Sequence, residues 1–201
     1  MTHRKTDLPI DPIFLKRWSP RAFDSSPMPE PDLLTLIEAA RWAPSAFNVQ
    51  PWRFLYALRG DAQWQNFLEL LDSFNIGWAQ NASALVFLLS DRLMFADEPG
   101  KAKPSRCHSF DAGAAWAQLA LQATRMGYQA HGMAGIDYDL SRIRLQVPER
   151  YRIEIAIAVG RRADAAALPA ELQEREFPSP RRPIDELAFA GGFPRQTGNS
   201  H

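Results

Sequence analysis

One cysteine in 201 residues, Cys107, is too few for an intrachain disulfide or a multi-thiolate zinc site and is compatible with a reducing compartment. Histidine is scarce as well. His3, His108, His131 and His201 show no metal-ligand spacing, and neither HExxH nor CxxC occurs, so no metal centre is expected. Net charge is absent: 23 basic residues balance 23 acidic ones. Binding to nucleic acid or to a membrane surface usually shows a basic excess, so neither partner is expected, and local basic clusters need a local explanation. No apolar run approaches the roughly 20 residues of a membrane span, and MTHRKTDLPIDPIF lacks an apolar signal core; a cytoplasmic location follows as an expectation. GxGxxG after a strand, GxxxxGK[ST] and GxSxG are all missing, which argues against a Rossmann site, a P-loop and a serine hydrolase. No internal repeat is visible.

What the chain does have is apolar mass. Hydrophobic residues make up 46%, with six Trp and twelve Phe, enough for one sizeable domain with a full core. Asp11-Pro12 starts a short helix to about Arg17. Pro29 and Pro31 introduce a second helix, with Leu33, Leu36, Ile37 and Ala40 on one face, that Pro44 stops. Trp52–Leu58 reads as a strand, and Gly60-Asp61 opens a helix with Trp64, Phe67, Leu68 and Leu71 on one face. Ala84–Leu89 is continuously apolar, as a strand buried on both faces would be. A long polar loop, 91–108, precedes a helix capped by Ser109 and ended at Gly127; its many small residues suit a central or subunit-interface helix. Asp139 caps a further short helix, and Ile153, Ile155, Ile157 and Val159 alternate with other residues as one apolar strand face. Past Ala163 prolines recur and helical patterning fades.

Three stretches carry candidate chemistry. Arg17, Ser19 and Arg21 flank Pro20 in a turn suited to phosphate or polyhydroxyl oxygens, which guanidinium forks bind bidentately; a solvated basic loop is the plain alternative. AARWAPSAFNVQPWRF, residues 39–54, crosses from helix to strand through Pro44, Ser45, Asn48, Gln50 and Pro51 and has the make-up of a rigid ligand cradle. HGMAG, residues 131–135, has two glycines whose missing side chains permit close backbone approach to a flat ligand. His131 within it is read as structural. Arg181 and Arg182 beside Pro183 form a second basic cluster, with surface solubility as the plain reading.

Together, RWSPR from Arg17, EAARWAPSAFNVQPWRF from Glu38, SFDAGAAWAQLALQATRMGY from Ser109, HGMAGID from His131, IAVGR from Ile157 and PRRPIDEL from Pro180 resemble the FMN-dependent nitroreductase family, in order and spacing, from about Phe14 to Leu187. The resemblance implies an α+β fold, a mostly antiparallel sheet flanked by helices in an intertwined homodimer. It implies an FMN-binding domain over residues 1–187 and a tail over 188–201. FMN would lie at the subunit interface. Arg17, Trp18, Ser19 and Arg21 would hold one side: Arg17 and Ser19 at the phosphate and ribityl end, Arg21 at the N1/O2 edge. Pro44, Ser45, Ala46, Asn48 and Gln50 would come from the other subunit. Gly132, Met133, Ala134 and Gly135 would lie along the N5/O4 edge, Asn75 against the ring, and Arg181 with Arg182 or Arg161 on the phosphate. Two positions depart from the family pattern: Ala46 stands where members often carry a second serine, and Trp78 where many carry a lysine, a lost cation that would lower the flavin potential or shift substrate preference.

The activity implied is ping-pong hydride transfer from NAD(P)H through flavin N5 to a nitroaromatic, quinone or other electron-poor acceptor. A cation near N1 and O2 stabilises the charge that reduction leaves there, and no protein nucleophile or base is obligatory, which fits the absence of a triad. The same fold also hosts reductive dehalogenation and flavin cleavage, and a flavin-storage or regulatory protein without efficient turnover is the non-enzymatic alternative.

Overall fold

A computed structural model describes residues 4–194. In chain order, α1 (Ile13–Lys16) and α2 (Glu30–Arg41) precede β1 (Trp52–Leu58); α3 (Trp64–Leu68) and α4 (Ser73–Ala79) lead to β2 (Ala84–Asp91). A two-residue ribbon, β3 (Leu93–Met94) with β4 (Lys103–Pro104), lies within the long loop before α5 (His108–Arg125). There follow β5 (Gln129–Met133), α6 (Tyr138–Arg144), β6 (Tyr151–Gly160) and α7 (Ala170–Gln173). The main sheet has the order β1-β2-β6-β5, with every neighbouring pair antiparallel.

Both faces of this sheet are covered, which is why β2 is a continuous apolar run. Leu85, Phe87 and Leu89 point into one core with Phe67 and Leu68 of α3 and Trp78 and Ala79 of α4. Ala84, Val86 and Leu88 point into the other, against Leu33, Leu36 and Ala40 of α2 and the small residues of α5. Ala112, Ala115 and Ala123 let α5 lie close to α2 and the sheet, while Phe110, Gly113 and Ala117 leave its outer face open. The α5 termination agrees with the sequence: Gly127 takes φ 79°, the left-handed conformation that suits glycine after a helix.

The structure departs from the sequence pattern at β6. Its register against β2 passes from Leu88↔Ile155 to Leu89↔Ile153, leaving Glu154 as the extra residue of a bulge. The pleat changes phase there, so Ile153 enters the α3/α4 core while Ile155, Ile157 and Val159 face the α2/α5 side. The four residues therefore do not share one face. The bulge carboxylate accepts from Ser90 Oγ and from Ser109 Oγ, the latter at 2.7 Å. That contact takes Ser109 away from capping: α5 begins at His108, and Cys107 at its N-cap position supplies no side-chain bond. Similarly, Asp137 rather than Asp139 caps α6, accepting from the Leu140 N–H at 2.9 Å.

Candidate active site

The turn after α1 and the segment after α7 meet over a cavity of about 270 Å³. Arg17, Trp18, Ser19 and Arg21 line it together with Arg181, which sequence spacing alone could not have brought there. Arg4, His131, Arg175, Phe177 and Ser179 complete the wall. Five arginines and no carboxylate thus face one small volume. Arg4 is a structural clamp: its Nε donates to Ser179 O at 2.9 Å and its NH1 to Arg17 O at 2.6 Å, tying the N-terminal segment to the C-terminal one across the turn. Glu176 lies behind, its carboxylate accepting from the Arg21 and Ala22 backbone N–H groups at 2.8 and 3.0 Å.

The cluster is electrostatically strained. Burial, then the charges of Arg4 and Arg181, pull the Arg17 guanidinium below its ordinary pKa. Arg21 is lowered first by burial and next by Arg175, with Glu176 opposing. Both remain cations at neutral pH. Arg21 Nε is buried and has no hydrogen-bond partner among the described residues, a donor that an incoming oxygen would satisfy. His131 sits in the wall as a neutral imidazole. Its Nδ1 donates to Pro20 O at 2.9 Å, its ring lies 4.7 Å from that of Trp78, and burial foremost holds its pKa down to about 4.

The helix-to-strand crossing lines a different cavity. Phe47, Asn48, Val49 and Pro51 face Leu93, Phe95 and Asp97 across it, with no residue shared with the arginine cavity. Phe47, Asn48 and Gln50 all take left-handed backbone, with φ 53°, 54° and 49°. Such conformations cost non-glycine residues free energy and persist only where the surroundings fix them. Here the Ser45 hydroxyl accepts from the Gln50 N–H at 3.0 Å, and buried Asp111 on α5 accepts from the Ala46 N–H at 3.1 Å. The Phe47 ring is 80% exposed and meets Phe95 edge to face.

A family model described as the nitroreductase family matches residues 15–88. A crystal structure of an oxidoreductase containing FMN is 50% identical, covering 95% of this chain and 96% of its own, with a TM-score of 0.92. The chain belongs to the nitroreductase family. An uncharacterised 15.4 kDa protein of Mycolicibacterium smegmatis is 33% identical over 147 residues, 69% of this chain and 95% of that protein. An NADH dehydrogenase of Thermus thermophilus is 28% identical over 201 residues, 87% of this chain and 92% of its own.

The glycines of the third stretch are packed against side chains of the same chain. A Cβ on Gly135 would stand 2.0 Å from Asp72 Oδ2 and 2.5 Å from Asn75 Nδ2, and one on Gly132 would stand 3.0 Å from Ile155 Cδ1. The chain's own side chains occupy the space that a Cβ on either glycine would enter. Asn75 is buried and donates from Nδ2 to Gly135 O at 3.1 Å, so it shapes this segment directly. Met133 is buried in the α3/α4 core, whereas the backbone N–H groups of Ala134 and Gly135 donate to no carbonyl among the described residues. Gly135→Ala is expected to cost about 1–3 kcal/mol through overpacking, with loss of the Asn75 contact. Urea unfolding of the variant checks this, and an unchanged midpoint would sink it.

Trp78 is core. It is fully buried between Phe23 and His131, with its Nε1 unpartnered among the described residues. Arg161 lies over the Tyr128 ring at 4.6 Å, and neither it nor Arg182 lines the arginine cavity. Arg4, Arg175 and Ser179 were missed from sequence because nothing periodic marks them; only the fold brings residues 4, 17 and 175–181 together. Among the described residues no cluster of His, Cys, Asp or Glu could hold a metal ion, and no helix is long and apolar enough to cross a membrane.

Proposed function

We propose that this chain is an FMN-dependent oxidoreductase that takes reducing equivalents from NAD(P)H and passes them to an electron-poor acceptor such as a nitroaromatic or quinone. The carrying observation is the arginine cavity: Arg17, Arg21 and Arg181 with Ser19, no facing carboxylate and a buried orphan donor, Arg21 Nε, form a site that an anionic, oxygen-rich chain would complete. The half-identical relative that contains FMN supports the same reading. FMN, when bound, supplies hydride acceptance and release at its N5 atom.

The chain's own part is positioning and electrostatics. Arg17, Ser19 and Arg181 hold the phosphate and ribityl end, and Arg21 stands at the N1/O2 edge as a fixed cation. Ala134 and Gly135 offer their unpaired N–H groups at the N5/O4 edge, with Asn75 holding that backbone in place. Pro44, Ser45, Ala46, Asn48 and Gln50 lie outside the arginine cavity, and Asn48 lines a separate one with Phe47, Val49 and Pro51, which supports a homodimer in which the crossing of one subunit closes on the cofactor of the other. Phe47 and Phe95 then flank the entry for the acceptor. Anaerobic addition of NADH or NADPH to the purified yellow protein is expected to bleach the flavin band promptly. A spectrum left intact at saturating nucleotide would favour a storage protein and overturn the reading.

A further inference from the structure

The arginine cavity holds more charge than one phosphate requires. A phosphomonoester carries about 1.5 to 2 negative charges at pH 7, and Glu176, already bonded to two backbone N–H groups, stands behind the wall. Against these stand five guanidinium groups. The groups also differ in depth: Arg17 and Arg21 are partly buried, whereas Arg175 and Arg181 are exposed at the mouth. Arg181 donates to Ser179 Oγ at 3.1 Å and to Pro180 O at 2.9 Å, which fixes it beside the inner pair. Arg175 makes no side-chain hydrogen bond or ion pair among the described residues, although Arg21 feels its charge. Arg4, which also lines the cavity, spends Nε and NH1 on carbonyls, and its NH2 has no hydrogen-bond partner among the described residues. Uncompensated like charges held together by the fold are costly, and a second anion would relieve the cost.

We propose that Arg4 and Arg175 form a second anion subsite at the mouth, next to the FMN phosphate, and that it takes the 2′-phosphate of NADPH. The inference rests on the FMN reading above, since an empty inner site would leave all five arginines for one anion. A phosphomonoester is the fitting class because it brings close to the two charges left over and presents several acceptor oxygens to guanidinium forks. The discrimination is electrostatic, so it weakens as salt rises. NADPH is accordingly the preferred reductant over NADH.

The test uses the FMN-loaded protein and two probes that differ by one group. Titration calorimetry with 2′,5′-ADP and with 5′-AMP, which lacks only the 2′-phosphate, at low salt should show the first binding at least tenfold tighter. In Arg175→Gln that difference should shrink to less than threefold while the flavin absorbance per chain stays that of the parent; Arg4→Lys, which keeps the charge but loses the clamp, should retain part of it. Equal affinity of the two probes in the parent overturns the subsite. Loss of FMN in Arg175→Gln also overturns it, by placing Arg175 in the cofactor's own phosphate site. A phosphate carried by the acceptor instead would show as weak 2′,5′-ADP binding with inorganic phosphate competing equally well, and that too overturns the assignment to NADPH. Retention of FMN by Arg17→Ala is the separate outcome that would remove the underlying reading.

Discussion

Arg17→Ala is expected to purify as a folded protein that has lost its flavin. The guanidinium lines the arginine cavity, and its one side-chain hydrogen bond among the described residues is a weak one to Ser19 Oγ at 3.4 Å. The backbone of the turn is held independently, by the Arg17 N–H donating to Ile13 O at 2.9 Å and by Arg4 gripping Arg17 O. Truncation therefore leaves the turn standing. What disappears is a cation already half out of water, whose charge-assisted bonds to a phosphate are each worth about 1.5–3 kcal/mol. Two such bonds correspond to a fall in affinity of roughly two to four powers of ten. The apoprotein should lose little stability, because Arg17 is pressed by Arg4 and Arg181 and its removal relieves that repulsion. Flavin absorbance per chain after gel filtration, with thermal unfolding of the apo forms, reads both halves. Stoichiometric flavin in Arg17→Ala would falsify the phosphate-end assignment.

Much of this site was legible in the sequence, but unevenly. Local patterning found the elements: β1 spans the Trp52–Leu58 run, and β2 is buried throughout because helices cover both sides of its sheet. It could not find Glu154 as a bulge, since an inserted residue leaves the alternating text intact while changing which face each side chain meets. Ser109 had the right chemistry for a cap, yet a carboxylate across the sheet competed for its hydroxyl, a contact 45 residues away. The glycines of HGMAG also face Asp72, Asn75, Ile155 and Trp116 of the same chain, neighbours that a local motif cannot name. Motif residues Arg17 to Arg21 and Arg181 do converge, whereas Arg4 and Arg175 join them only through the path of the chain ends. The crossing at 44–50 stays apart from all of these within one chain, which a linear motif cannot express.

The second large effect is on acid stability, and it comes from His131. Its Nδ1 faces the Pro20 carbonyl, which can only accept, so the proton is on Nδ1; the ring packs on Trp78 and has Arg17 and Arg21 beside it. Burial foremost, with those two cations adding, brings its pKa from 6.5 down to about 4. A histidine whose native pKa is depressed costs nothing above pH 6.5, where both folded and unfolded chains are neutral. As pH falls from 6.5 towards 4 the unfolded chain takes up the proton first, so stability is lost through that window, at most about 3 kcal/mol and about 2 kcal/mol by pH 5. In urea unfolding at pH 7 and pH 5, His131→Gln is therefore expected to lose about 2 kcal/mol less than the parent on acidification, the carboxylates common to both cancelling in the comparison. Equal losses in the two proteins would mean that His131 titrates normally and that the wall is wetter than its packing indicates. FMN should narrow the window, because a phosphate beside Arg17 offsets part of the charge that opposes protonation of the ring. The apoprotein is then the form in which the difference between parent and variant is largest, and the size of the gap between apo and holo forms measures how closely the bound anion neutralises the arginines around His131.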